Sequence, residues 1–213
     1  MGPINAPALT ELSRLLEQPG HQIFPDAVWV SGQVEVFKKL RDLEALSLTS
    51  ELSTGVLCPD CMNGAIQPEH TAHGTRIGIR AYCGECGWVQ LSRERACLWQ
   101  ANPAKVAEWL NLALGLKPRH SVTEVVKGVL WHLGEREYKR HRHSLFFGCQ
   151  IAVNQAYVGK ALNQYAAPGA DVTITTNDIA ELQQGTLNSR VFVPLGAVAQ
   201  LRKAGLVIRS EEH

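Results

Sequence analysis

Two short motifs decide how this chain folds: Cys58-Pro59-Asp60-Cys61 and Cys83-Gly84-Glu85-Cys86. Each motif holds two cysteines three positions apart, and a tight backbone turn lets such a pair direct both sulfurs at one metal ion. The 21 residues between the motifs are a gap that a hairpin can span. The spacing therefore predicts one four-cysteine zinc site with Cys58, Cys61, Cys83 and Cys86 as ligands. Two redox dithiols or disulfides are the alternative interpretation.

The predicted site is structural rather than catalytic. Four thiolates at about 2.3 Å fill the tetrahedral shell of Zn²⁺ and leave no open position for a substrate. Gly64 and Gly87 follow the motifs closely, where the chain is expected to need positive φ angles to bend around the sulfurs. Four thiolates around one dication leave a local charge of about −2, so positive surface is expected elsewhere.

Residues around the two motifs carry a family resemblance. The matching residues are Cys58-Pro-Asp-Cys61 and Tyr82-Cys83-Gly-Glu-Cys86-Gly87-Trp88, with strand-like runs around the second pair. This pattern resembles the zinc ribbon family over about residues 56–92. Zinc ribbons occur in transcription factors, polymerase subunits, nucleases and protein-binding adaptors, so the resemblance implies a fold and a metal but no activity. Trp88 is expected to pack over the ribbon as a core residue.

The composition is that of an ordinary soluble globular protein, with 213 residues, 45% apolar and 19% charged. No apolar run approaches the length of a transmembrane helix, and residues 1–7 lack the basic and apolar regions of a secretory signal. No membrane partner is therefore expected. Cys97 and Cys149 are left as small buried residues, and this cysteine usage predicts a cytoplasmic location.

The predicted fold class is α+β, in three parts. An N-terminal helical region is expected at residues 1–55, the zinc ribbon at residues 56–101, and a mixed α/β C-terminal domain at residues 102–213. The charge is uneven, because residues 1–57 carry a net −3 and residues 102–150 a net +4, within a total of +1. The ribbon is thus interpreted as a folding clamp between an acidic and a more basic region.

Local patterns predict the elements within these parts. Helices are expected at residues 10–18, 34–43, 102–115, 121–128, 153–165, 177–184 and 195–203. Strands are expected at residues 27–30, 65–69, 76–82, 88–91, 129–133, 144–148, 171–175, 191–193 and 206–209. The Ser- and Thr-rich residues 47–55 are interpreted as a linker. The segment 129–148 predicts an antiparallel meander, and the later alternation of strands and helices predicts a small α/β sheet.

The C-terminus allows a second interpretation. Residues 176–209 resemble the end of a winged helix-turn-helix, because Leu201-Arg-Lys-Ala-Gly-Leu-Val207 reads as a helix running into a wing. The departure is Val191-Phe-Val-Pro194, which is strand-like where that family begins its recognition helix. The winged helix is therefore the alternative to the small α/β sheet.

The densest basic cluster contains Arg136, Lys139, Arg140 and Arg142. On a strand of period two, Arg136, Arg140 and Arg142 are expected to share one face. Guanidinium groups in such a row match phosphate oxygens, so these four residues are the candidate nucleic-acid contacts. The alternative is a solvated strand that keeps the meander soluble.

Catalytic signals are weak. Glu137-Tyr138-Lys139 has the Glu-x-Lys form of a class of metal-dependent nucleases, which also needs an upstream acid such as Glu124 or Glu135. His141 and His143 are spaced to share a second metal ion, but the sequence supplies no evident third ligand. No catalytic residue is assigned.

The sequence therefore supports three hypotheses about function. The first is a cytoplasmic zinc-binding protein that binds nucleic acid, as a regulator or as an accessory subunit of a nucleic-acid-processing system. The second is a protein–protein adaptor stabilised by structural zinc, and the third is a metal-dependent nuclease. Nucleic acid and a protein partner are both compatible with the chain, and its oligomeric state is not determined by the sequence. Any activity is expected beyond Asn102.

Overall fold

The computed structural model describes residues 6–26, 34–73, 76–116, 122–138, 140–165, 170–183, 185–202 and 205–209. The helices in these ranges are α1 (Ala6–Leu16), α2 (Val34–Asp42), α3 (Arg93–Ala96), α4 (Pro103–Ala113), α5 (Gln155–Tyr165), α6 (Ile179–Gln183) and α7 (Leu195–Val198). The first eight strands are β1 (Gln22–Ile23), β2 (Leu46–Leu52), β3 (Val56–Leu57), β4 (Ala65–Ile66), β5 (Glu69–His73), β6 (Arg76–Cys83), β7 (Gly87–Leu91) and β8 (Cys97–Ala101). The others are β9 (Thr123–Val126), β10 (Leu130–Tyr138), β11 (His141–Gly148), β12 (Asp171–Thr175), β13 (Val191–Pro194), β14 (Ala199–Arg202) and β15 (Gly205–Ile208). The α+β class is confirmed.

The largest sheet contains five strands in the order β13-β12-β11-β10-β9. The strands β9, β10 and β11 pair antiparallel, which confirms the expected meander. Strands β11, β12 and β13 pair in parallel, with α5 and α6 in the connections between them. This mixed sheet contains two strands of the small α/β sheet expected from the alternation of strands and helices, whereas the last expected strand, at residues 206–209, lies in the separate β14–β15 hairpin.

One hydrophobic core joins the two ends of the chain. The apolar stripe of α1, with Leu12, Leu15 and Leu16 fully buried, packs in the same cluster as Phe147 of β11 and Leu201 of β14. Glu17 adds polar contacts, since its two carboxylate oxygens accept from the backbone N–H of Gln150 at 3.1 Å. The N-terminal helices are thus packed on the C-terminal sheet. The three-domain boundaries stay a prediction.

A second core belongs to residues 56–91, which we call the cysteine module. Its strands form the β3–β4 hairpin and the three-stranded antiparallel sheet β5-β6-β7. Alternate residues on β6 and β7 point inward, among them Ile79, Ala81 and Val89, and they pack with Cys97 of β8. This core is small, and small cores usually need a cross-link, such as a shared metal ion, to be stable.

Several local predictions are wrong because tertiary pairing overrides a local signal. Residues 47–55, expected as a linker, belong largely to β2, which pairs with β8. A helix is expected at residues 121–128, but residues 123–126 form strand β9. The carboxylate of Glu124 accepts a hydrogen bond from the Gly128 N–H at 2.6 Å. The strand expected at residues 27–30 lies outside the described residues.

The winged-helix alternative is also wrong. Residues 195–203 were expected to form one helix, but α7 has only four residues and the chain then enters β14. Strand β14 pairs antiparallel with β15, and β13 lies in the large sheet parallel to β12. A recognition helix must reach base edges in a groove, and a helix of one turn before a hairpin is too short for that.

Gly205 gives a test of the packing between β15 and α4. Its φ is +120°, and a Cβ atom there would lie 2.9 Å from Cδ1 and Nε1 of Trp109. We expect Gly205→Ala to lower the free energy of unfolding by about 1–3 kcal/mol, because both the clash and the backbone angle oppose the substitution. Gly196→Ala is the matched control, since a Cβ at that position meets no atom within 4 Å. Urea unfolding measures both variants, and equal stability of the two would contradict the packing described.

Candidate functional site

Two turns bring the four cysteines of the module together. The first turn follows β3, where the Met62 N–H donates to the Cys58 carbonyl at 2.9 Å, with Met62 and Gly64 at φ +57° and +70°. The second turn joins β6 to β7, and Cys83 pairs there with Gly87, whose φ is +74°. Each motif therefore forms a tight turn with both of its sulfurs on the inside, as its spacing predicts.

The four sulfur atoms form a compact set. All lie within 4.8 Å of one another, with the Sγ atoms of Cys58 and Cys86 3.9 Å apart and those of Cys61 and Cys83 3.7 Å apart. Four sulfurs bound at about 2.3 Å to one tetrahedral ion lie about 3.8 Å from one another, so the observed spacing fits a single metal ion. A disulfide needs about 2.05 Å between sulfurs, and all six cysteines are free. The sulfur geometry therefore favours metal binding over the disulfide alternative.

The thiols have unequal acidities. Backbone N–H groups of Cys86 and then Glu85 donate to the Cys83 sulfur and lower its pKa to about 7. The neighbouring Cys61 thiol, followed by burial, raises the pKa of Cys86 to about 12. Negative charges on adjacent sulfurs oppose one another, so all four thiols can ionise together only around a cation. The set suits a metal ion that displaces the protons.

Within the part of the chain that the structure describes, the four cysteines are the only set of three or more His, Cys, Asp or Glu ligand atoms that converge. No third ligand among these described residues joins His141 and His143. Glu137 of the Glu-x-Lys pair lies opposite Arg142 in the hairpin, while Lys139 lies outside the described residues.

The basic residues lie on a hairpin that extends past its sheet. Strand β9 pairs with β10 only over Leu130–His132, and β12 begins its pairing with β11 at Ser144. We call residues 135–143 the basic arm; Glu135 still pairs with Ser144, and beyond it the described residues 136–138 pair only with residues 141–143. Arg136, Arg140 and Arg142 are exposed there, and Arg140 occupies the turn with φ +66°.

The expectation that the arginines share one face is wrong. Arg136 pairs with His143, and Glu137 pairs with Arg142, so Arg136 and Arg142 lie on opposite faces of the arm. The cause is the pairing of Tyr138 with His141, which resets the alternation that a continuous strand would keep. One face carries Arg136 with two histidines, and the other carries Arg142, whose Nη1 lies 3.3 Å from Glu135 Oε2.

An exposed aromatic pair on the module was missed by the sequence interpretation. Trp88 is 55% exposed and Tyr82 is 60% exposed, so the prediction of a core role for Trp88 is wrong. Their rings pack edge to face with centroids 5.5 Å apart, and the Arg80 guanidinium lies 3.9 Å from the Trp88 ring centre. The sequence does contain a signal for the exposure of Trp88. Side chains alternate between the two faces of a strand, so with Val89 and Leu91 on the buried face, Trp88 lies on the outer face.

Comparison with family models, curated proteins and solved structures finds no match to this chain. Among the described residues, no helix is both long and apolar enough to cross a membrane. The four-cysteine set and the surfaces of the arm and the module are therefore the features that bear on function.

Proposed function

We propose that this protein binds zinc and uses its basic arm to contact nucleic acid, as a regulator or an accessory subunit of a nucleic-acid-processing system. The observation that carries the proposal is the arm itself, a two-stranded ribbon that is paired with neither neighbouring strand. Zinc holds the cysteine module, and the arm supplies the binding surface.

Zinc is the metal that best suits the four sulfurs. Thiolate ligands select soft or borderline ions, and a tetrahedral set of four cysteines is characteristic of structural Zn²⁺. The resemblance to zinc ribbons agrees with this choice. Four sulfurs complete the coordination shell, so the role we assign to zinc is to stabilise the fold, with no reaction at the ion.

The shape of the arm suits duplex nucleic acid. The major groove of B-form DNA accepts a two-stranded β-ribbon, and among the described residues no strand pairs with the outer edges of the arm beyond Glu135. One face of the arm holds Arg136 together with His141 and His143, while Arg140 lies at the tip. An exposed guanidinium binds phosphate oxygens through paired N–H groups, so we expect contacts mainly with the backbone and little dependence on sequence.

Arg136→Ala tests this proposal. We expect the variant to bind a short DNA duplex about tenfold more weakly at low salt, and to lower the magnitude of the slope of log K against log salt by about 0.9, the contribution of one phosphate contact. Fluorescence polarisation over a salt series measures both quantities. Arg136 is chosen over Arg140, because substitution of Arg140 at φ +66° would also alter the turn.

Arg142→Ala is the matched control. Arg142 is exposed on the same strand pair, but it lies on the other face and its guanidinium already contacts Glu135. We expect its loss to weaken duplex binding by less than the loss of Arg136. Absence of duplex binding by the intact protein would reject the arm as the contact surface, and a larger effect of Arg142→Ala would reject the face that carries Arg136.

The proposal includes a cytoplasmic location. Two thiols outside the metal set, Cys97 and Cys149, are buried and free, and thiolate ligands stay available to zinc under reducing conditions. Both features suit a compartment in which disulfides do not accumulate.

A further inference from the structure

The outer face of the β5-β6-β7 sheet carries an unusual set of side chains. Glu69 pairs with Arg80 across β5 and β6, and Tyr82 pairs with Trp88 across β6 and β7. Cross-strand partners and alternate residues share a face, so these four side chains lie together, opposite the buried Ile79, Ala81 and Val89. The module thus buries one face of its sheet in its core and presents the other to solvent.

A cleft of about 270 Å³ opens on this face, lined by Gln67, Pro68, Glu69, Tyr82 and Trp88. We call it the aromatic cleft. Two adjacent aromatic side chains with more than half of their surface exposed leave apolar area in water that contact with a partner would bury. The cleft therefore has the character of a binding surface.

Charge decides which partner suits the cleft. The module contains three acidic residues, Asp60, Glu69 and Glu85, against two arginines, Arg76 and Arg80. A zinc ion held by four thiolates adds a further charge of about −2, so the loaded module is net negative. A phosphate backbone would be repelled by this surface, whereas a cation would be attracted to it.

The chemistry of the cleft agrees with a cationic occupant. Aromatic faces attract ammonium and guanidinium groups, and the Arg80 guanidinium already lies over Trp88 while its Nε donates to Glu69 Oε1 at 2.8 Å. Within this chain Arg80 thus occupies the Trp88 face, and a partner cation would take its place there. The Glu69 side chain stays 50% exposed and supplies a counter-charge at the rim of the cleft.

We propose that the aromatic cleft binds a lysine- or arginine-bearing segment of a partner protein. The cationic group of the partner lies against Tyr82 and Trp88 and pairs with the Glu69 carboxylate, while Pro68 packs against the aliphatic part of its side chain. The proposal is independent of nucleic-acid binding by the basic arm, so Arg136→Ala leaves it unchanged.

A tetralysine peptide is the probe for this surface, with fully acetylated tetralysine as its neutral counterpart. The chain has five tryptophans, and the indole N–H signal of Trp88 in an NMR spectrum is assigned by its disappearance in Trp88→Phe. We expect the zinc-loaded protein to show a saturable shift of the Trp88 signal with tetralysine and none with the acetylated peptide. Glu69→Gln is expected to weaken the binding about threefold to fivefold.

Matched controls separate the cleft from general attraction. Glu51→Gln removes an exposed carboxylate from β2, and Tyr157→Ala removes a tyrosine that is 71% exposed on α5; neither is expected to change the titration. A Glu51→Gln effect equal to that of Glu69→Gln would overturn the proposal. It would also be overturned if oligothymidylate, rather than tetralysine, shifted the Trp88 signal, or if neither probe did.

Discussion

Replacing Cys58 by serine should yield a protein that purifies without zinc and with an unfolded cysteine module. Cys58 is fully buried, and its sulfur lies 3.9 Å from that of Cys86 within the four-sulfur set. A serine hydroxyl does not replace a thiolate as a ligand for zinc, so the site loses one of its four bonds. Structural zinc contributes about 10–16 kcal/mol of apparent binding energy at neutral pH, which equals or exceeds the whole stability of a typical domain.

The expected damage is local. The core of the module is separate from the two cores formed by the helices and the large sheet. We therefore expect amide hydrogen exchange to become fast in residues 56–91 and to stay slow in α4, whose Val106 and Leu110 are fully buried in the main core. Elemental analysis should find about one zinc per chain in the natural sequence and little in the variant.

Cys97→Ala is the control for this experiment. Cys97 is 1% exposed and packs in the core of the same module, but its sulfur is not part of the four-sulfur set. Loss of its buried sulfur should lower stability modestly and leave the zinc content unchanged. Retention of zinc in Cys58→Ser, or loss of zinc in Cys97→Ala, would show that the ligands are assigned wrongly.

The four-cysteine cluster was predictable because its information is local. Two ligands sit in each motif, and the turn that joins them needs only the intervening residues and a glycine with positive φ. The long helices α2, α4 and α5 were predictable for a similar reason, since apolar spacing or a cap such as Asn102, which accepts from the Lys105 N–H, marks each of them.

Features that depend on pairing were harder to predict. The register of strands β10 and β11 decides which side of the basic arm Arg136 faces. A local pattern does not show this register, and the four basic residues are therefore expected on one strand. Ser121-Val-Thr-Glu124 has the capping-box pattern that favours the start of a helix. Pairing with β10 nevertheless places residues 123–126 in strand β9. Contacts between distant segments determine strand register and conformation, and a local sequence pattern does not encode those contacts.

The buried ion pair of the large sheet is a further feature that local sequence patterns do not predict. Asp171 begins β12 and Arg190 precedes β13, nineteen residues later, and no periodic signal relates the two. Arg190 Nη1 lies 2.5 Å from Asp171 Oδ1, with the side chains 3% and 0% exposed. Arg190 Nη2 also donates to Asn163 Oδ1 on α5, so the pair joins one helix and two parallel strands.

Asp171→Asn should lower the free energy of unfolding by about 3–5 kcal/mol, because it leaves the Arg190 charge buried without its counter-charge. Urea unfolding monitored by circular dichroism measures the change. Glu135→Gln is the matched control, since it breaks an ion pair of the same chemistry on the exposed arm. We expect that control to change the stability by less than about 1 kcal/mol.

A double variant separates the two contributions to this effect. Burying both charges opposes folding, while their mutual attraction favours it, so removal of the whole pair is expected to be much milder than removal of one partner. We expect Asp171→Leu combined with Arg190→Met to recover most of the stability that Asp171→Leu alone loses, with a coupling energy of about 2 kcal/mol or more once Arg190→Met is measured as the second single variant. If the double variant is as unstable as the single one, the geometry of the hydrogen bonds, and not the unpaired charge, holds α5 against the sheet.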